Sequence, residues 1–315
     1  MRNSDQAVAP VVKPSSDTIG RSVGIPSVTV GLPVYNGEPY IEEAIRSILD
    51  QTHDDLCLII SDNASTDATE DVCRQACAAD ARVVYERQDV NRGAAWNYNR
   101  VVALARSPYF KWAAADDLLA PTCVERCFDV LSNAPPSVVM VYPKTMIVDA
   151  TGSSVREWSD GLEARSRWPH KRFNRVVRNI VLGNPAFGLV RAEAVARTRG
   201  HGNYPSADWV YLSELALLGE IWEIPEPLFI RRMHDMTSRV ANTDLEQLSA
   251  WFDPAAKPVT DENGRLLREY LAAIRHAQLS PSERAATLAQ FSIVWNRRHA
   301  KWYAWLAKRL RPRPT

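Results

Sequence analysis

The chain contains neither a G-x-x-x-x-G-K-[ST] loop nor a G-x-G-x-x-G fingerprint. That removes the two common glycine cradles for phosphates and dinucleotides. No apolar run approaches the roughly 20 residues of a membrane-spanning helix. No basic segment followed by an apolar core opens the sequence as a secretory signal would, so a cytoplasmic location is expected. Neither sign of charge is in excess: 38 Lys and Arg against 37 Asp and Glu leave a formal net charge of +1, and no overall field argues for nucleic acid. Cysteine is scarce, at five residues. Cys57 falls in an apolar, strand-like run and reads as core. Cys73/Cys77 and Cys123/Cys127 are paired at helical i,i+4 spacing, whereas structural zinc sites space their cysteines about two to four apart on turns. Both pairs read as small buried helix residues, and an odd total argues against a disulfide framework.

What is present is the profile of a soluble globular protein: 315 residues, 46% hydrophobic and 24% charged. Residues 1–25 mix Pro, Ser, Asp and Val and are expected to form a disordered leader. From Ser27 to Asp149 short β-rich runs alternate with helical ones. "SVTVGL" (27–32) is a predicted strand ended by Pro33, which cannot continue a central ladder, and "PYIEEAIRSILDQ" is an amphipathic helix with Pro39 in its first turn. "LCLIIS", "RVVYER", "YFKWAA" and "SVVMVY" are further strands, separated by helical segments. Such alternation predicts an α/β layered domain with a mainly parallel sheet flanked by helices. After Gly152 the pattern loosens; "EIWEI" and "PLFIRRM" look like two short strands, and from Asn242 onward the chain reads as a helical extension, residues 242–315.

In open α/β sheets, ligands bind beyond the carboxyl ends of the strands. Asp62 follows the second predicted strand, and Asp116 and Asp117 follow the fourth. Asp62 also suits a simple Asx turn, with Ser65 or Asp67 helping the next helix start. Adjacent carboxylates such as Asp116 and Asp117 repel one another, and a divalent cation with oxygen ligands relieves that repulsion. A Mg²⁺ or Mn²⁺ ion held by one or two carboxylates takes its other ligands from phosphates. The expected ligand is therefore a diphosphate held through metal.

These residues, read together, resemble a known family. "VTVGLPVYNGEPYIEEAIRSILDQTHDDLCLIISDNASTDAT", with its P-x-Y-N turn, S-x-x-x-Q helix end and D-N-A-S-T-D loop, is similar to the N-terminal half of family 2 glycosyltransferases of the GT-A fold. "NRGAAWNYNRVV" resembles the family's third block, "AADD" occupies its D-x-D position, and "SADWVYLSELALLGEIWEIPEPLFIRRMHDMTS" resembles a later block with its Arg-Arg-x-His. The first D-x-D position falls on Ala114, a departure from the pattern. The resemblance covers residues 27–240. It implies a GT-A domain over residues 26–241, divided into a nucleotide-binding half (26–150) and an acceptor-binding half (151–241).

The resemblance also implies roles. Pro33, Val34 and Tyr35 line the nucleotide base, Asp62 hydrogen-bonds it, and Asn91, Gly93 and Asn97 flank the nucleoside. Asp116 with Asp117 holds Mn²⁺ or Mg²⁺ on the sugar diphosphate, and His234 completes that metal site. Of Arg231 and Arg232, one is expected to bind the diphosphate and the other to be structural. Asp208 is the catalytic base, and Asn184, Phe187 and Trp209 stand near the acceptor. The implied reaction is metal-dependent, inverting transfer from a nucleotide-diphospho-sugar (UDP-linked most commonly in the family, GDP- or dTDP-linked otherwise) to a hydroxyl of a glycan, a lipid-linked glycan or a small molecule. Two other readings stay open: a non-catalytic sugar-nucleotide-binding scaffold, and a sugar-phosphate nucleotidyltransferase. At the C-terminus, Trp295, Trp302 and Trp305 suit packing, and the basic stretch Lys308–Arg313 is a candidate contact for anionic lipid at the inner membrane face.

Overall fold

A computed structural model describes residues 24–300 of the chain. The first part alternates strand and helix: β1 (Val28–Val34), α1 (Ile41–Leu49), β2 (Leu56–Asp62), α2 (Thr69–Ala79), β3 (Val83–Arg87), α3 (Ala94–Leu104) and β4 (Tyr109–Trp112). The middle part adds β5 (Leu118–Leu119), α4 (Cys123–Asn133), β6 (Val138–Val148), β7 (Ser154–Trp158), α5 (Pro169–Asn179), a 3₁₀ turn (Asn184–Phe187), β8 (Leu189–Arg191), α6 (Ala192–Val195), α7 (Ala207–Leu218) and β9 (Glu220–Arg232). Four helices follow: α8 (Ser238–Ala241), α9 (Leu245–Phe252), α10 (Glu262–His276) and α11 (Pro281–Arg298). The strands form one nine-stranded sheet in the order β3-β2-β1-β4-β8-β6-β9-β5, with β7 on β6. The first four strands are parallel and β8 reverses direction, so the sheet is mixed beyond β4.

Two prolines correct the expected strand boundaries. β1 does not stop at Pro33 but runs through it to Val34, in register with Ser61 and Asp62 of β2. The reason lies on the opposite side of β1. Gly31 C=O accepts from Ala113 N–H on the β4 side, and residues two apart point the same way. Pro33 therefore faces the β4 side just where that partner has ended at Trp112, and its missing N–H disrupts no ladder. Likewise "EIWEI" and "PLFIRRM" are one strand, β9. Its pairing with β6 jumps from Pro143↔Ile224 to Lys144↔Pro227, which places Pro225 and Glu226 in a bulge where no ladder donor is needed.

Helices cover both sheet faces, so the central strands are apolar on both sides. One face buries Val28, Val30 and Leu32 under α1, α2 and α4; the other buries Phe110, Trp112 and Met140 under α3 and α7. Cys73, Cys123 and Cys127 are buried as expected, but Cys57 is only half-buried and Cys77 is exposed; all five thiols are free. A third apolar cluster joins α9, α10 and α11 to α5 and α7, with Trp295 beside Tyr270 and Phe291. Helix α11 starts with a capping box between Ser280 and Glu283 and with Pro281 in its first turn. Trp302, Trp305 and the basic Lys308–Arg313 stretch lie outside the described residues. Among the described residues, no helix is long and apolar enough to cross a membrane.

Two contacts fasten α9 to the first part of the chain. Gly93, at φ +84°, admits the α9 carbonyl of Phe252 so closely that a Cβ would stand 2.4 Å from that oxygen. His201 stacks between Tyr98 (4.7 Å) and Phe252 (5.9 Å), with Trp112 at its edge. Replacing Gly93 by Ala combines positive-φ strain with an unavoidable backbone clash, so a loss of more than about 2 kcal/mol is expected in urea unfolding. Burial pushes the His201 imidazole down to about 4. The unfolded chain then takes up this proton first, and the stability due to a neutral ring is lost as pH falls from about 6.5 toward 4. Between pH 7 and pH 5 the wild type should lose roughly 2 kcal/mol through this group, and His201→Phe should lose correspondingly less over the same interval.

Candidate active site

The carboxyl ends of β1 and β2 are tied together by short polar side chains. Asn36 N–H donates to Ser65 Oγ (2.9 Å), Gly37 N–H to Thr69 Oγ1 (2.8 Å), and Thr66 N–H to Asn36 Oδ1 (2.8 Å). Asn36 and Ala64 both hold positive φ, at 52° and 67°, a strain that persists only where surrounding bonds over-determine the backbone. Three asparagines continue the scaffold. Asn97 Nδ2 donates to the carbonyls of Ser61 (2.9 Å) and Val34 (3.1 Å). Asn63 accepts from Arg92 N–H (3.0 Å) and donates to Asn91 Oδ1 (2.7 Å), which also accepts from Gly93 N–H (2.8 Å). Helix α3 is thereby pinned to the ends of two strands.

A second corner forms after β4. The chain turns through Ala113–Asp117 into β5, which pairs antiparallel with Phe229 and Ile230 of β9. Ser47 and Gln51, the S-x-x-x-Q pair of α1, clamp the far side of this corner. Ser47 Oγ accepts from Leu119 N–H, while Gln51 donates to Ala120 C=O and accepts from Val124 N–H. The β5–β9 pairing brings the end of β9 to the two aspartates. Arg232 N–H donates to Asp117 Oδ1 (2.9 Å), and His234 Nε2 lies 3.0 Å from Asp116 Oδ2. Met236 N–H donates to His234 Nδ1 (3.2 Å), so the geometry assigns the ring hydrogen to Nε2, which gives it to Asp116. Burial, and then the neighbouring Asp116, raise the Asp117 carboxyl well above the ordinary range, against the opposing pull of Arg231 and Arg232.

The two arginines differ in their work. Arg232 is 4% exposed and is consumed by the protein: it donates to Asp116 C=O and Ala150 C=O, pairs with Glu43 and lies over the Tyr40 ring at 4.5 Å. Arg231 Nη1 donates to Leu182 C=O (3.1 Å) and to Asn184 Oδ1. Asn184 in turn donates to Asp160 (3.3 Å), whose carboxyl burial pushes up to about 6.

Between these corners opens a cavity of about 560 Å³. From the expected nucleotide set, Pro33, Val34, Tyr35, Asn91 and Asn97 line it, joined by Asp116, Asp117, Arg231, Arg232 and His234 at the β4 and β9 ends. Of the expected acceptor residues only Phe187 reaches it, stacked on Phe229 at 5.2 Å with its carbonyl held by the buried Lys111. Asp62 does not line it. That carboxylate is fully buried, accepting from Ser65 N–H (2.8 Å) and Tyr85 Oη (2.8 Å) with Arg87 beside it; its neighbour Asn63 forms the wall instead. Gly93 stands behind the wall under Phe252. Trp209 lies under the Arg298 guanidinium, at 4.8 Å, in a separate small cleft. Asp208 sits half-buried in the first turn of α7, just after Ser206 at φ 63°. Its carboxylate rests on Gly183, where a Cβ would stand 2.0 Å from Oδ2. Asp116, Asp117 and Asp208 all act on the Tyr98 hydroxyl, raising its pKa after the larger effect of burial.

Sequence reading missed one wall altogether. Asn242, Gln247, Trp251 and Pro254 line the cavity from the region of α8 and α9, and no local pattern in those residues announces a site. Tyr40, Tyr98 and Met236 were also missed, although each lies inside a quoted motif. Among the described residues, no group of three or more His, Cys, Asp or Glu stands together as a metal cage. The oxygen of Asp116 and the imidazole of His234, 3.0 Å apart at the cavity wall, fit a small divalent cation that would replace the Nε2 hydrogen between them, with the ring proton moving to Nδ1, and take its remaining ligands from a bound phosphate and water.

Comparison with known proteins agrees with this architecture. TarS of S. aureus, solved with UDP, superposes with a TM-score of 0.61 at 14% identity, over 87% of this chain and 72% of that one. A mannosyltransferase from Pyrobaculum calidifontis, solved with GDP-Man and Mn²⁺, gives a TM-score of 0.51 at 18% identity over 90% and 84%. Likeness at these identities speaks for the fold alone, that of GT-A glycosyltransferases. By sequence, the chain is 27% identical to chondroitin synthase of Escherichia coli over 225 residues, 71% of this chain and 31% of that protein. It spans between 21% and 40% of the length of that and three other similar proteins. The profile of glycosyl transferase family 2 matches residues 29–197, more than half of the sequence, and the chain belongs to that family.

Proposed function

We propose that the protein transfers a sugar from a nucleotide-diphospho-sugar to an acceptor hydroxyl with inversion at the anomeric carbon. The observation that carries this reading is the convergence of Asp116 and His234, from the ends of two distant strands, on the rim of a cavity walled by the ends of β1 and β2. Neighbouring folds solved with UDP, UDP-GlcNAc or GDP-Man add support for a nucleotide-sugar donor.

In this reading the nucleoside occupies the end bounded by Pro33–Tyr35 and Asn91–Asn97, and the diphosphate lies toward Asp116 and Arg231. Asp116 and His234 would hold Mn²⁺ or Mg²⁺, which would supply positive charge to the leaving nucleoside diphosphate. Arg231 adds a fixed guanidinium, oriented through Asn184, to the same developing charge. Arg232 holds the corner rigid through Glu43, Tyr40 and the Asp116 carbonyl, which keeps the aspartates in place before substrate arrives. Asp62 serves the site from beneath, by fixing the loop that carries Asn63. Asp208 is the base: it takes the proton from the acceptor hydroxyl as that oxygen attacks the anomeric carbon from the face opposite the leaving group. Ala114 removes a carboxylate that the family pattern offers, and Asp116 then holds the cation without it. The acceptor is a hydroxyl of a glycan, a lipid-linked glycan or a small molecule.

Release of nucleoside diphosphate from UDP-, GDP- and dTDP-sugars with Mn²⁺ or Mg²⁺ tests the reading. One donor should be hydrolysed slowly by the wild type, and chelation should abolish that turnover. Asp116→Ala should lower the rate by about 10²-fold or more, and Asp208→Ala by roughly 10²- to 10⁴-fold. No turnover of any donor, with nucleotide binding retained, would leave the non-catalytic scaffold reading in its place; no nucleotide binding at all would overturn both.

A further inference from the structure

The wall of the cavity formed by α9 lies outside the residues matched by the family profile, 29–197, and it carries an indole. Trp251 lines the cavity, half-buried, with Phe252 edge-on at 4.8 Å. We propose that Trp251 is the stacking platform for the nucleobase, a specificity-determining residue supplied by the C-terminal helices. This inference rests on the nucleotide-sugar reading of the cavity.

Two observations support it. The first is rigidity. Helix α9 is fastened next to Trp251 by the Phe252 carbonyl on Gly93, by the Phe252 ring on His201, and by Asn203 Nδ2 donating to Asp253 (3.0 Å). Adjacent helical residues point about 100° apart, so with Phe252 buried against this support Trp251 is turned toward the open space. A fixed aromatic face loses little entropy when a flat ring settles on it.

The second is position. The sheet order runs β3-β2-β1-β4, and α9 rests on Gly93, in the loop between β3 and α3. Trp251 therefore belongs to the β3 side of the cavity, whereas Asp116, Asp117 and His234 lie toward β4, β5 and β9. The negative diphosphate goes with the latter group, which leaves the uncharged base on the former.

Titration calorimetry on the full chain with Mn²⁺ separates the possibilities. The probes are UDP, GDP and dTDP, with inorganic pyrophosphate as the ligand without a base. For whichever nucleotide the wild type binds, Trp251→Ala should weaken binding roughly tenfold or more, and Trp251→Phe should stay near the wild type. Pyrophosphate affinity should be the same in all three proteins, which also shows that the variants keep the diphosphate corner intact. Unchanged nucleotide affinity in Trp251→Ala would overturn the assignment while leaving the nucleotide-sugar reading standing, as would an equal loss for nucleotide and pyrophosphate. A wild type that binds pyrophosphate but no nucleoside diphosphate would overturn the reading of the cavity and the inference together.

Discussion

A backbone N–H holds the site together: that of Arg232, donated to the Asp117 carboxylate at 2.9 Å. It closes the corner where β5 meets β9 and fixes two segments more than a hundred residues apart in the chain. Together with the β5–β9 pairing it keeps both aspartates of the β4–β5 turn facing β9 and His234 within reach of Asp116. The cost of crowding two carboxylates is visible in the raised pKa of Asp117, which burial and Asp116 drive up against Arg231 and Arg232. An amide donor and two guanidinium groups lower that cost, and a bound cation would lower it further.

Strain is concentrated around the same cavity. Asn36, Ala64 and Ser206 are non-glycine residues at positive φ, and they precede or follow the ends of β1, β2 and the start of α7. Each stands beside a group given a role here: Tyr35 beside Asn36, Asn63 beside Ala64, Asp208 two residues after Ser206. Glycine serves where closeness matters more than strain. Gly93 lets α9 approach α3, and Gly183 lets the Asp208 carboxylate lie on the backbone. The polar network around Asn63, Asn91 and Asn97 holds these conformations in place, which is how a preorganised site persists in a marginally stable chain.

Much of the architecture was legible because it is written in local pattern. Alternating apolar strands and amphipathic helices from Ser27 to Asp149 implied the layered α/β fold, and the strand-end rule pointed to Asp116 and Asp117, which line the cavity. Other features were not local. Pro33 read as a strand end because a central strand ordinarily needs both ladders; only the early end of β4 made it harmless. Pro225 and Pro227 split one long strand into two on paper, since nothing in the sequence shows that β9 bulges against β6 at Pro225 and Glu226. Asp62 sits where an exposed turn residue is expected, yet Tyr85, Arg87 and Ser65 N–H surround it.

By itself the sequence determined the periodicities, the motifs and the residue types available at each strand end, because these depend on neighbours within a few positions. Tertiary structure alone decided which of two adjacent arginines is spent on the scaffold, since Tyr40 and Glu43, Asp116, and Ala150 converge on Arg232 from three separate segments. It also decided that a helix near residue 250 walls a cavity opened by strands before residue 120. No periodicity predicts that contact: it depends on Gly93 lacking a side chain where a distant carbonyl comes to rest.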